Sequence, residues 1–405
     1  MANTLQPVDV YALVNAAAKE MYGADSTLQA RDTSSFVSVG EHMLRTGYTN
    51  TLNALSVVFG RTIEAVRPYR GEVELIAKTR DEFGGIERKI SFYSKAFEAT
   101  KNFNTDINPT QLVDGQSIDH YVISKVYPLE INFCGMKTLE FSYTTFRKQL
   151  RTAFQSETEF SAFYSAMMIS VANDIAMGYE AENKLQVLNA IGATFNVGGA
   201  RQKVNLTAAY NAKNKTTYTT EQLQTTYKKD FLAFFIERVK GDMELMRRNN
   251  TLFHIFPARN DDGGNALSLL RHTPAEMRRL FLYMPFVREA EAEVMPSLFD
   301  SNYLRLQDYE GMEFWQNPNV PAAVDVVPNQ LDVATGQSAT GTRVQLDYVL
   351  GLLFDRDALA TTLKLEDVIT TPVNAKGDYY NTVYHWAYMF KQDQTENMIL
   401  YYMAD

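Results

Sequence analysis

Cysteine is almost missing: Cys134 stands alone in 405 residues. One thiol allows neither an intrachain disulfide nor a thiolate zinc cluster, so the chain does not need an oxidising compartment. Histidine is scarce too. His42, His120, His254, His272 and His385 never recur at the three- or four-residue spacing that sets two imidazoles on one helix face, which argues against a metal centre. There is no Gly-x-Ser-x-Gly elbow, no phosphate loop ending in Gly-Lys-Ser or Gly-Lys-Thr, and no dinucleotide glycine fingerprint; Gly198-Gly199 and Gly263-Gly264 lack the rest of those patterns and read as turns. No cofactor is expected. No run approaches the roughly 18 apolar residues of a membrane span, and residues 1–23 carry no basic region ahead of an apolar core, so secretion and membrane insertion are not expected. Basic charge is also short. With 39 Lys and Arg against 48 Asp and Glu, the formal charge is −9 and there is no general attraction to nucleic acid or an anionic membrane.

What is present is a chain that folds. Hydrophobic residues make up 45% and charged residues 21%, outside the range of a disordered acidic polymer, and the length implies two or three modules. Val8 to Met21 has helical spacing, Gly23 to Gly40 loosens into Ser, Thr and Asp, and a second helix is expected around Thr49 to Arg61. Neither helix has an apolar face wide enough for a core of its own. From Gly71 to Phe146 the period changes to that of strands, as in Val73–Lys78, Ile90–Tyr93 and Leu129–Phe133. The stretch Thr100–Gln116, with Asn102, Asn104, Asp106 and Asn108, reads as the polar tip of a long excursion.

Ser156-Glu157-Thr158-Glu159 is a capping-box sequence, and the apolar residues from Phe160 to Leu188 then follow at helical intervals up to a stop at Gly192. A helix ending near residue 190 would be about 50 Å long. Asn173, Asp174 and Gly178 interrupt its apolar face, which argues against a coiled coil. Asn196–Thr220 reads as a surface loop and Thr225–Arg247 as a helix. Leu280–Met284, Met312–Trp315 and Ala323–Val327 read as strands, with helical Phe286–Met295 between the first two: an α+β module. Tyr348–Phe354 is a buried strand. Tyr379–Phe390 and Met398–Met403 form a closing hairpin around Lys391-Gln392-Asp393-Gln394 that ties this end of the chain into a sheet.

Chemistry-bearing clusters have plainer readings. Glu289, Glu291 and Glu293, two apart on a helix, point in different directions and make a solvated face. Arg147-Lys148-Gln149-Leu150-Arg151 reads as a solvated edge more than a phosphate-facing one, and Trp315 and Trp386 as core or interface more than a carbohydrate platform. Asp355-Arg356-Asp357, after a buried strand, is either a local ion pair with a turn or a contact with another subunit.

The order of these elements resembles the major capsid proteins of tailed phages, the Hong Kong 97-type fold, and within them the capsid proteins of short-tailed phages. Ser156-Glu157-Thr158-Glu159-Phe160 leading to Val171-Ala172-Asn173-Asp174 is similar to the start of their spine helix. Leu350–Leu359 is similar to the strand and turn that leave the axial domain, and Tyr379-Tyr380-Asn381, His385-Trp386 and Thr395-Glu396-Asn397 to the final peripheral-domain hairpin. The resemblance implies an N-terminal arm at 1–69, an extended loop at 70–128, a peripheral domain at 129–224 with a spine helix at about 156–190, an axial domain at 225–350, and a return to the peripheral domain at 351–405. No appended immunoglobulin-like domain is expected.

It also implies a homo-oligomer of pentamers and hexamers in an icosahedral shell, working with portal and scaffolding or minor capsid proteins and enclosing double-stranded DNA without reading its sequence. Assembly would be in the bacterial cytoplasm, and no catalytic residue is implied. Lys89, Lys95, Lys101, Asp106, Asp355, Arg356 and Asp357 are the expected intersubunit contacts. The lysine–asparagine crosslinking of some relatives is not carried over, because no catalytic carboxylate is evident beside these lysines. A cellular encapsulating shell and an acidic α+β enzyme acting on polysaccharide are the rival readings. Deleting residues 85–120 is expected to leave a folded subunit that forms no shells, a result electron microscopy would read directly.

Overall fold

A computed structural model describes residues 7–23, 29–46, 73, 76–81, 85–94, 121, 125–146, 157–293 and 309–405. The chain divides into two compact units. One comprises Met1–Gly85, Gly135–Leu185 and Thr361–Phe390; the other comprises Ile86–Cys134, Gln186–Ala360 and Lys391–Asp405.

The first unit is organised on a four-stranded sheet in the order β1 (Ala77–Arg80), β13 (Leu359–Thr370), β14 (Tyr379–Gln392), β4 (Lys137–Phe146). β4 and β14 run antiparallel, from Tyr379 opposite Phe146 to Tyr388 opposite Lys137. The two-residue period of a strand puts Tyr380, Tyr384, Trp386 and Tyr388 on one face, where they join Leu139, Phe141 and Tyr143 of β4. Against them lie Val171, Ala172 and Ile175 of the helix Glu157–Val197. The interruptions in that helix are packing points for β4. A Cβ on Gly178 would stand 2.8 Å from Phe141 Cζ, so only glycine lets the ring lie there, and the Tyr143 hydroxyl donates to Asp174.

Val14, Ala17 and Ala18 of the helix Pro7–Tyr22 belong to the same core, as do Phe36, Val39 and Met43 of the helix Thr33–Thr46. The second of these corrects the loose segment expected through Gly40. Phe36, Val39 and Met43 recur at helical spacing within a Ser-, Thr- and Gly-rich stretch, and the Asp32 carboxylate accepts from the Ser35 amide at 2.8 Å near the helix start. The helix expected at Thr49–Arg61 and the capping residue Ser156 lie outside the described residues, as do Glu74 and Leu75; of the strand expected at Val73–Lys78, Ala77 and Lys78 fall in β1.

The second unit is built on a five-stranded sheet in the order β5 (Lys203–Asn205), β15 (Met398–Met403), β12 (Tyr348–Asp355), β6 (Arg278–Tyr283), β7 (Tyr309–Met312). β12 is antiparallel to both β15 and β6, whereas β15–β5 and β6–β7 are parallel. β12 and β15 lie inside the sheet and are buried almost throughout, which matches their near-continuous apolar runs. The helix Lys228–Met246 buries Phe231, Leu232, Phe235 and Val239, and Phe235 meets the β15 ring of Tyr401 at 5.9 Å. β8 (Val324–Val326) pairs with β11 (Val344–Leu346), and β9 (Asn329–Leu331) with β10 (Ser338–Thr340). Trp315 lies beyond β7, is buried, and donates its indole N–H to the Val349 carbonyl at 2.8 Å.

Three expectations are corrected in this unit. The long helix continues through Gly192 to Val197, 41 residues in all and about 60 Å long. Gly192 is a close-approach position and not a stop, because a Cβ there would stand 2.6 Å from Val326 Cγ1 and 3.1 Å from Pro328. The presumed surface loop at 196–220 contains β5 and the helix Leu206–Asn214, which the Asn205 side chain caps by accepting from the Thr207 and Ala208 amides. β14 and β15 do not form a hairpin, since they belong to different sheets. Gly192→Val is expected to lower stability by about 1–3 kcal/mol in urea unfolding. Gly199→Ala, with nothing within 4 Å of the added carbon, serves as the neutral comparison.

Candidate functional site: the base of the extended hairpin

β2 (Ile86–Phe92) and β3 (Pro128–Cys134) form an antiparallel hairpin base, with Ile86 opposite Cys134 and Phe92 opposite Pro128. They bracket the excursion expected at 70–128, whose polar tip at 100–116 lies outside the described residues. Alternation gives the base two unlike faces. On one, Ile86 (62% exposed), Ile90 and Phe92 (59% exposed) face solvent around an Arg88–Glu130 ion pair at 2.5 Å. On the other, Lys89 turns inward to meet a buried polar run, Asp393-Gln394-Thr395-Glu396-Asn397, and buried Ser91 meets Arg271.

Five consecutive polar residues can be buried only if nearly every donor and acceptor finds a partner. The Lys89 ammonium donates to both the Asp393 and Glu396 carboxylates and lies 3.4 Å from Thr395 Oγ1. Arg271 donates from Nε to the Thr395 carbonyl at 3.1 Å and from Nη2 to Ser91 Oγ at 2.7 Å, and its Nε stands 3.2 Å from Glu396 Oε1. Two cations thus balance two carboxylates. Asp393 also caps the turn, accepting from the Thr395 amide at 2.9 Å and hydroxyl at 2.6 Å. The Gln394 carbonyl accepts from Ile255 N and its side-chain oxygen from Leu331 N, each at 2.9 Å.

Asn397, 0% exposed, extends the network toward β12. Its carbonyl accepts from Asp355 N at 2.9 Å, and its side chain donates to Thr273 Oγ1 at 3.0 Å. Thr273 in turn donates to Asp355 Oδ2 at 2.7 Å. His254 lies beside it, with Nε2 2.8 Å from the Leu269 carbonyl and Nδ1 3.1 Å from the Asn397 amide oxygen.

Burial sets the charge states. It pushes the Glu396 carboxyl up from its ordinary value, against the pull of Lys89 and Arg271, and it pushes Asp355 up as well. It pushes His254 down, so the ring is held toward its neutral form.

Lys89 and Asp355 therefore stand at the two ends of one internal network. Arg356 and Asp357 are exposed on the turn Arg356–Ala358, where the Asp357 amide donates to Asp355 Oδ1 at 3.0 Å. Lys95, Lys101 and Asp106 lie outside the described residues, as do residues 147–151 and the side chains of Glu289, Glu291 and Glu293. Sequence reasoning missed Arg271, His254, Thr273, Asp393, Glu396 and Asn397 as members of one site. The available signal was a five-residue polar run abutting the wholly apolar strand Met398–Met403. Among the described residues, no three His, Cys, Asp or Glu side chains gather as a metal site, and no helix is long and apolar enough to cross a membrane.

The architecture is the α+β, Hong Kong 97-type fold of phage capsid subunits. The capsid structure of Staphylococcus phage Andhra matches with a TM-score of 0.51 at 10% identity, covering 84% of this chain and 89% of that one. The capsid structure of Cyanophage P-SCSP1u gives a TM-score of 0.44 at 13% identity, covering 84% and 91%. No curated protein matches the chain. The profile of the Phi29-like phage major capsid protein matches residues 14–402, and the chain belongs to that family. Its role is to form the icosahedral capsid, as a component of the virion.

The depressed His254 pKa has a defined consequence for stability. The contribution of the neutral ring is fully present above the unfolded value of 6.5 and is lost as pH falls through the folded pKa. Glu396 runs the other way: its contribution is full below the unfolded value of 4.5 and is lost as pH rises through its raised folded pKa. Thermal unfolding of His254→Gln and wild type side by side is expected to show wild type losing more stability than the variant as pH is lowered from 6.5.

Proposed function

We propose that the subunit acts through assembly and not catalysis, and that the hairpin base is where one copy meets the next. The observation that carries this reading is the solvent-facing apolar set Ile86, Ile90 and Phe92, on a two-stranded element whose other face is committed to its own subunit. Apolar side chains held in water on a sheet face favour a partner that removes them from it. Identical copies repeating one heterologous contact close into rings of five and quasi-six and then into a shell. In this reading residues 1–69 are an N-terminal arm, 70–128 the extended loop, 129–224 the peripheral domain, 225–350 the axial domain and 351–405 the return strands.

Exposed Arg356 and Asp357, together with Lys95, Lys101 and Asp106, are the polar candidates for the same contacts. Portal and scaffolding or minor capsid proteins complete the particle, which assembles in the host cytoplasm and encloses double-stranded DNA. The formal charge of −9 supports a wall that does not trap its genome.

Deleting residues 85–120 is a blunter test than the sequence implied, because it also removes Lys89 and leaves Asp393 and Glu396 short of a cation. Ile90→Asp with Phe92→Asp changes only the outer face. The double variant is expected to keep the wild-type circular dichroism spectrum and unfolding midpoint while forming no shells in negative-stain electron microscopy. Wild-type particles from it would remove the hairpin from the contact.

A further inference from the structure

The inward face of the hairpin base makes charged and polar contacts to its own subunit. Along its inward face, Lys89 meets Asp393 and Glu396, Ser91 meets Arg271, and Phe133 lies under the Lys391 ammonium at 4.8 Å. A small apolar cluster of Tyr93, Tyr127, Leu267 and Leu269 adds a fixed point where the two strands leave the base, and the Tyr93 hydroxyl donates to the Pro257 carbonyl at 2.7 Å. Between that point and Gly135, half-buried Leu129, Ile131 and Phe133 of β3 share the inward face, while the directional contacts come from Lys89 and Ser91 of β2. A buried pair loses strength sharply when one partner is removed, whereas an apolar contact of the same area is graded. Ion pairs and hydrogen bonds are also directional, so they fix an angle as well as an attachment.

We propose that Lys89, Asp393 and Glu396 form an ionic latch that sets the angle of the extended hairpin, so that the placement of Ile86, Ile90 and Phe92 for a neighbouring copy is decided inside the subunit. Lys89 is then a positioning residue and not an intersubunit contact. Three features support this. The ammonium side chain is only 22% exposed, and the Asp393 and Glu396 side chains are 1% and 12% exposed, so the triad faces inward. The carboxylates sit on a segment fixed by backbone bonds to Ala358, Ile255 and Asp355, which makes them a rigid anchor. Lys89 is flanked on its strand by outward-facing Arg88 and Ile90, so the latch and the exposed apolar set share one short strand. Turning that strand moves both together.

The inference rests on the hairpin being an assembly element, and the test separates the two ideas. Hydrogen exchange would be measured on unassembled subunits of wild type, Lys89→Met, Lys89→Arg and Glu396→Gln, and each would be scored for shells by electron microscopy beside the Ile90→Asp, Phe92→Asp double variant. In Lys89→Met, exchange is expected to rise about tenfold in residues 86–92 and 128–134 while β12 and β15 stay at wild-type protection, with shells lost or misshapen. Glu396→Gln keeps Asp393 as a partner and is expected to raise hairpin exchange by about threefold. Lys89→Arg, which keeps the charge, is expected to restore both hairpin protection and normal shells.

Wild-type hairpin exchange in Lys89→Met overturns the latch, whatever the shells look like. Loosened hairpins that still build normal shells overturn it as well; if the double variant nevertheless fails to assemble, the hairpin remains a contact and only the latch is wrong. Should Lys89→Met lose protection throughout β12 and β15, Glu396→Gln decides: exchange raised only in the hairpin supports the latch, and exchange raised everywhere or nowhere overturns it.

Discussion

The interior of the second unit depends on one constraint: five consecutive polar residues, Asp393–Asn397, are withdrawn from water and must be paired. Leaving a single buried donor or acceptor unpaired costs about 1–3 kcal/mol, and an unpaired buried charge costs more, so a half-made network would be worse than none. The partners come from distant parts of the chain. The hairpin brings Lys89 and Ser91, the segment ahead of β6 brings His254, Arg271 and Thr273, β12 brings Asp355, and β9 brings the Leu331 amide. Satisfying the run therefore brings all of these together in a single register. An apolar core of similar volume would tolerate small slips between the same elements, whereas a chain of directional bonds does not.

For a capsid subunit such exactness has a use. A shell is a sum of many repeats of a few contacts, and an angular error in one subunit is copied around every ring. The outer face of the hairpin is a simple apolar surface with one ion pair, chemistry that adheres without discriminating finely. In the proposed contact, discrimination comes from how that surface is held. On the inner face Lys89 meets its two carboxylates, and Lys89 stands on the same strand that carries exposed Ile86, Ile90 and Phe92.

Much of the architecture could be read from the sequence where local periodicity and burial agreed. The long helix, β12, β14, β15, and the strands and helix around Arg278–Glu293 follow from apolar spacing alone. Misreadings arose where composition and tertiary packing disagree. Gly192 looks like a helix stop because glycine is a poor helix former, yet Val326 and Pro328 press against it, and that contact is invisible along the chain. Ser34, Ser35 and Gly40 disguised the stripe of Phe36, Val39 and Met43. The β14–β15 junction looked like a hairpin turn because polar residues between strands are usually at the surface. The same reading hid the site: a hairpin around Lys391-Gln392-Asp393-Gln394 offers no buried partner, so Lys89 was read as a contact with a neighbour. Only long-range pairing reveals that its charge is already committed. The polar Lys–Thr–Asn stretch near residue 205 misled for a related reason, since Asn205 there is a helix cap and not a loop residue.

The parallel pairing of β5 with β15 carries a kinetic consequence. Lys203 lies beside Leu400, so β5 has no neighbour on that side until a strand far later in the chain has been synthesised. Contacts so distant in sequence close slowly, because the loop between them must first lose its entropy. A nascent subunit at that stage also lacks Asp393 and Glu396, the partners that hold the hairpin. Until that last segment is made, Lys89 lacks both of its carboxylate partners, so the hairpin base is tied to its subunit only late in synthesis.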